Sequence, residues 1–167
     1  MIVSIPALLF LGLVILQRLS ELWIAKRNTA RLLERGAIEH GVGHYPYMVG
    51  MHTCWVLALV IFGINQPLNV FWLLIFILLQ GIRIWILSTL GERWTTRIIV
   101  IDEPLVLGGP LRYFRHPSYM LVIAEIIVTP MVLGLWWVAL VFTVLNAAML
   151  YVRIGAEEQA LAHLRNQ

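Results

Sequence analysis

The sequence predicts an all-α fold, a polytopic membrane helical bundle of about five transmembrane helices, and two observations carry that prediction. Hydrophobic residues fill 60% of the 167 positions and charged residues only 13%, with a mean hydropathy of +0.85, far from the balance of a water-soluble domain. The apolar runs are continuous and lack the in-out alternation of barrel strands. In hydrocarbon only helices or closed barrels satisfy the backbone, so helices follow.

A span needs about 20 residues, which places five: about Ile2 to Ile24, Tyr47 to Ile64, Val70 to Leu87, Ser118 to Val132 and Leu135 to Val152, the last two short. The first has no basic residue before its apolar core and no small-residue cleavage pattern before Arg18, so it reads as a retained helix and not as a signal peptide. Pro67 and the Thr129-Pro130 pair mark short uncharged turns, which fold spans two and three, and four and five, into antiparallel hairpins. No repeat is visible, and residues 1–167 read as one domain.

All 12 Lys and Arg fall in three alternate regions: Arg18 to Arg35, Arg83 to Arg115, and Arg153 with Arg165. By the positive-inside rule the amino terminus is outside and the carboxyl terminus cytoplasmic. The pI near 9.4 does not imply a nucleic-acid partner, because the charges lie along a rim and not in one dense stripe. Anionic membrane lipids account for them. The oligomeric state is left open.

Two polar stretches interrupt the spans. Residues 27–44 begin helical and loosen at Gly36, Gly41 and Gly43. Residues 88–117 form the largest cytoplasmic element, and long ordered loops on a rigid scaffold often carry binding function. That loop ends in Arg112-Tyr113-Phe114-Arg115-His116-Pro117-Ser118-Tyr119. Pro117 suits the first turn of the fourth helix, whose amino-terminal amides, with Arg112, Arg115 and His116, attract an anion.

On the fifth helix Asn146, Arg153 and Glu157 share a face, with Tyr151 and Glu158 on an adjoining stripe. Two readings fit: Arg153 and a glutamate bind polar groups of a ligand, or Arg153 snorkels to headgroups and pairs with Glu157. Glu125 lies at membrane depth and requires a partner, for which Arg83, with Gln80 one turn earlier, is the candidate. That trio serves equally as glue between helices or as a polar cavity lining. His40, His44, His52 and Cys54 form no recognised metal framework, so no metal is expected, and Cys54 reads as a buried thiol. Trp94 either covers a ligand or anchors the loop in headgroups.

Gly109-Pro110, then Arg115-His116-Pro117-Ser118-Tyr119, then Arg153-Ile154-Gly155-Ala156-Glu157-Glu158-Gln159-Ala160-Leu161 resemble the ordered motifs of the isoprenylcysteine carboxyl methyltransferase family. The resemblance is strong from about Leu90 to Leu161, and it implies a cofactor-binding half there. It implies S-adenosylmethionine as methyl donor, held by Arg115, His116, Pro117, Tyr119 and Glu157, with Arg153 and Glu158 as catalytic residues. It also implies a lipid-side opening for a greasy acceptor. Family members acting on prenylated proteins continue with a basic, aromatic tail, whereas this sequence stops at Gln167. Together with the Glu39-His40 to His44-Tyr45-Pro46 and Trp94 to Val100 stretches, that brevity resembles the short bacterial branch. The expectation is an inner-membrane O-methyltransferase whose site faces the cytoplasm. Its acceptor would be a lipophilic small molecule, bearing a prenylcysteine-like carboxylate or an alkylpyrone-like enolic hydroxyl. The rivals are an NADPH-dependent membrane reductase of related fold and a non-catalytic lipid-binding subunit.

Overall fold

The computed structural model describes residues 4–104, 106, 108–114 and 116–165, without the side chains of 163–165. It contains helices α1 (Ile5–Glu34), α2 (Tyr45–Gly63), α3 (Val70–Leu90), α4 (Pro117–Val132) and α5 (Trp136–Arg165), with short strands β1 (Ile38–His40) and β2 (Ile98–Val100). Among the described residues four stretches are long and apolar enough to cross a membrane: Ile5–Glu34, Val42–Gly63, Val70–Arg93 and Trp136–Ala162. The fourth helix, α4, has 16 residues, about 24 Å at 1.5 Å per residue, and is shorter than the bilayer core.

Local chemistry sets the ends of these helices. Asn69 caps α3 by accepting a hydrogen bond from the Trp72 amide at 3.3 Å, which satisfies one donor of the first turn. Gly36, at φ +88°, closes α1: its amide bonds to Leu33 O and that of Ala37 to Leu32 O, both at 3.0 Å. This paired closure needs a left-handed residue, hence glycine.

The fourth span ends at Val132 as the sequence suggests, but Thr129-Pro130 does not mark its turn. Helix α4 continues through Thr129 and Pro130 to Val132. The chain reverses only at Gly134, φ +68°, where the amides of Gly134 and Leu135 return to Met131 O and Pro130 O. Thr129 and Val132 are buried there, so packing holds the proline in the last helical turn. Helix α5 continues past its span at Val152, as the shared face of Arg153 and Glu157 requires, and runs on to Arg165, because Ala, Leu, Glu, Gln and Arg in that stretch are good helix formers.

The core lies between the helices, centred on Trp55, Leu59, Phe76, Ile126, Val132 and Val138. The outer surface is apolar too, with Leu9, Ile61, Phe71, Leu78 and Val144 all exposed, as hydrocarbon allows. Cys54 is exposed on that surface, not buried as its composition suggested; a small apolar thiol needs no protein cover where lipid is the solvent.

A charged network ties three helices together inside the bundle. Glu125 of α4 is fully buried, and it accepts from Arg83 Nε at 2.8 Å, Arg18 Nη2 at 2.8 Å and Gln80 Nε2 at 3.2 Å. Arg83 also donates to Glu21. Arg83 and Gln80 are the partners the sequence required for Glu125; Arg18 and Glu21 complete a group of two cations and two anions.

At the charged end the two polar stretches pair. Strands β1 and β2 are antiparallel, with Glu39 opposite Ile99, and Ile98 and Val100 pack on Ala160 of α5. Arg97 donates to Glu39 at 2.8 Å and lies 4.5 Å from the centre of the Tyr45 ring. Asn28, buried in α1, donates to Gly91 O at 3.1 Å and Trp94 O at 2.9 Å. Glu103 binds Arg35 and Arg93, each at 2.5 Å. These contacts fold the 91–104 loop back over the bundle mouth, beside α5.

Candidate functional site

Proline at the start of α4 directs His116 and Tyr119 towards the face of α5 that carries Arg153 and Glu157. The Tyr119 hydroxyl accepts from Arg153 Nε at 3.0 Å and donates to Glu157. His116 stacks on Tyr119, ring centres 5.5 Å apart. Its Nε2 lies 3.4 Å from Glu158 and its Nδ1 3.9 Å from Glu157. His116, Pro117, Tyr119, Arg153, Glu157 and Glu158 therefore meet in one cluster. Arg115 lies outside the described residues.

Arg153 is buried, which disfavours simple snorkelling to headgroups. It is held on three sides: by Tyr119, by Thr96 O at 2.6 Å and by the Met48 sulfur at 2.9 Å. A thioether is a weak acceptor. The guanidinium edge turned towards Met48 is therefore the part most readily given to a ligand oxygen.

Below this cluster lies a cavity of about 350 Å³, lined by residues of all five helices and the loop, a size suited to a small-molecule site. Tyr119, Arg153, Thr95, Thr96 and Trp94 line its mouth, and Asn146 and His52 lie further along α5 and α2. Arg18, Glu21 and Arg83 also contribute to the lining, so the charged network is both interhelical glue and part of the cavity wall. Leu19, Leu22 and Leu57 line the cavity while remaining exposed on the outer surface, which opens it sideways between α1 and α2.

Met48, Thr96, Arg18 and Glu21 are site residues that sequence reasoning missed. Met48 carries no motif and Thr96 drew notice only within the Trp94 to Val100 stretch; packing of α2 on α5 brings the first to Arg153, and the fold-back of the loop brings the second. Glu21 had a signal, an acid three residues after Arg18 on an apolar helix. Among the described residues no three His, Cys, Asp or Glu side chains group as a metal would need. His40 instead lines a second cavity, about 480 Å³, with Asp102 and Gln159.

The chain is 35% identical over 159 residues to "Uncharacterized protein YpbQ" of Bacillus subtilis, covering 92% of this chain and 95% of that one. It is 29% identical over 154 residues to an "Uncharacterized protein" of Haemophilus influenzae, covering 88% and 90%. No solved structure matches. Residues 72–163 match the profile of a methyltransferase family and include the stretches that carry His116, Tyr119, Arg153, Glu157 and Glu158. The chain belongs to the isoprenylcysteine carboxyl methyltransferase (ICMT) family.

Proposed function

We propose that this chain is an S-adenosylmethionine-dependent methyltransferase acting on an oxygen of a lipophilic acceptor drawn from the membrane. In this reading residues 1–167 form a single domain, residues about 90–161 hold the cofactor, and the mouth of the cavity faces the cytoplasm, in a bacterial inner membrane. The observation that carries it is that His116, Glu157 and Glu158 cluster around Tyr119 and Arg153, and that these two line a cavity whose wall also includes leucines exposed on the outer surface.

The donor set fits the cofactor. Carboxylates and aromatic faces suit its amino group, sulfonium and ribose hydroxyls, and an arginine edge against a weak sulfur acceptor suits its carboxylate or the acceptor oxygen. Tyr119, His116 and Glu157 would hold it, together with Arg115. When bound, S-adenosylmethionine supplies an electrophilic methyl group on a sulfonium.

The chain's own contribution is orientation and exclusion of water. Transfer from a cation to an oxyanion cancels charge, so an apolar cavity favours it over bulk water, and alignment in a fixed cleft adds to the acceleration. Arg153, immobilised by Tyr119 and Thr96, orients an oxygen. Glu158 holds a polar group of the cofactor beside His116.

Mass spectrometry of lipids from cells with and without the gene tests the reading. The expected result is a lipid that is one methyl group lighter, accumulating when the gene is absent. Identical lipid profiles, with no methyl donor bound by the purified protein, would overturn it.

A further inference from the structure

Asn146 is a buried amide for which the arrangement above has no use. It is only 2% exposed, and of the α5 residues that line the cavity it lies deepest. Its carboxamide has no hydrogen-bond partner among the described residues. The indole N–H of Trp55 is sealed off from any solvent-sized space; the Asn146 amide is not, and its small remaining surface faces the cavity. A carboxamide both donates and accepts, and burying one without partners is costly. Two turns of α5 separate Asn146 from Arg153, so it sits on the same face about 10 Å deeper in the bundle.

The ionic groups at that depth are spent on one another. Arg83 donates to Glu125 and to Glu21, Arg18 donates to Glu125 at 2.8 Å, and Gln17 and Gln80 donate to Glu21 and Glu125 at 3.1 Å and 3.2 Å. Two cations against two anions leave the cavity floor without net charge. A charged ligand group would lose its hydration there and find no free counter-charge. Val122, Met149 and Leu150 line the cavity between the floor and the mouth, so a wholly hydrocarbon occupant would cover Asn146 and leave its N–H and C=O unmet. An uncharged group that donates or accepts would meet them.

We infer that Asn146 determines acceptor specificity: the acceptor carries, apart from the oxygen that is methylated, a second, uncharged hydrogen-bonding group, and the Asn146 amide binds it at the cavity floor. This rests on the methyltransferase reading, and it holds whatever the chemistry of the methylated oxygen. Arg153 meets the first polar group and Asn146 the second. With a hydrogen bond of about 3 Å at each end, the rise along α5 leaves roughly 5 Å between the two ligand groups, a separation spanned by one ring or by a few chain bonds. Asn146 is thus a specificity residue and touches neither the methyl group nor the donor cluster at the mouth.

The test compares wild type with Asn146→Leu, which keeps the volume and removes the amide, on two matched pairs of probes. N-acetyl-S-farnesylcysteine is set against S-farnesylthiopropionate, which lacks its amide, and a 5-alkylresorcinol against the 3-alkylphenol of equal chain length, which lacks its second hydroxyl. Calorimetric titration of S-adenosylhomocysteine first establishes that the variant is folded, with affinity within about twofold; Asn146→Ala replaces it if that fails. Binding of each probe to the protein with S-adenosylhomocysteine bound, and kcat/KM wherever a probe is methylated, are then measured. Wild type should favour the more polar member of at least one pair by about tenfold, the value of one buried hydrogen bond. The variant should lose that preference by weakening on the polar member alone, a change in ratio that general damage to the fold would not produce. An undiminished preference in the variant, or no preference in wild type for either polar member, would mean that the amide meets only water, and would overturn the role of Asn146 while leaving the methyltransferase reading standing. So would failure of wild type to bind both polar members while still binding S-adenosylhomocysteine. Absence of S-adenosylhomocysteine binding to wild type would instead sink the parent reading and this one with it.

Discussion

Arg153 and Tyr119 are joined at 3.0 Å, guanidinium Nε to phenolic oxygen, and the same hydroxyl passes a hydrogen bond on to Glu157. One oxygen thus links the start of α4 to the exit of α5. Tyr119→Phe removes that oxygen and keeps the ring and its stacking with His116. Affinity for S-adenosylhomocysteine should fall by about tenfold, the value of one charge-assisted hydrogen bond at 1.5–3 kcal/mol less what water restores, with thermal stability in detergent little changed. Isothermal titration of both proteins checks this; unchanged affinity would detach the hydroxyl from ligand binding.

Arg153→Ala and Glu158→Gln should each abolish methyl transfer while the protein stays folded in detergent. Arg153 is the more demanding case, because its loss also frees Thr96 O and the Tyr119 hydroxyl. Arg153→Lys restores the charge but not the fork of donors, so it should remain well below wild type. Transfer rates of purified variants decide the matter, and wild-type rates in either the alanine or the glutamine variant would exclude that residue.

The buried network carries a stability prediction. Arg83→Ala leaves Glu125 with fewer counter-charges at a fully buried site, and breaking such a pair costs about 3–5 kcal/mol. Replacing both members together, Arg83→Met with Glu125→Leu, should be less damaging than either single change, because no unpaired charge is left inside. Melting temperatures in detergent would show that order, and a double variant worse than both singles would contradict it.

Glu103 gives a pH dependence outside the membrane spans. Hydrogen bonds from Arg35, and then from Arg93, hold its carboxyl below the ordinary carboxylate value of 4.5. Because the folded pKa is depressed, the clamp contributes fully above about pH 4.5 and is lost as pH falls through the lower folded value. Proteolysis of the 91–104 loop should therefore accelerate on acidification below pH 4.5. Glu103→Gln should make cleavage faster at neutral pH and remove most of the pH dependence, as seen on gels over a pH series with an acid-tolerant protease.

How far the sequence disclosed these features depended on the distance over which each is determined. Glu125 pointed to Arg83 because a carboxylate in an apolar run must find a cation. The two motif stretches could be brought together because a short hairpin links them. By contrast, β1 and β2 are three residues each, too brief for any periodicity, and their pairing depends on residues far apart in the chain. Thr96 reaches Arg153 beside that pairing, and Met48 through the packing of α2 on α5. Pro130 reads locally as a turn and is overruled by packing around Thr129 and Val132. His52 was visible as a histidine, but its place on the cavity wall follows from how the helices pack.

The central claim is that the His116–Tyr119 and Arg153–Glu158 stretches form one site for a methyl donor. Titration of S-adenosylhomocysteine into the purified protein in detergent, followed by calorimetry, tests it most directly. The account predicts saturable heat with one site per chain, weakened by Tyr119→Phe and by Glu158→Gln. A folded wild-type protein that gives no heat at millimolar ligand would contradict it.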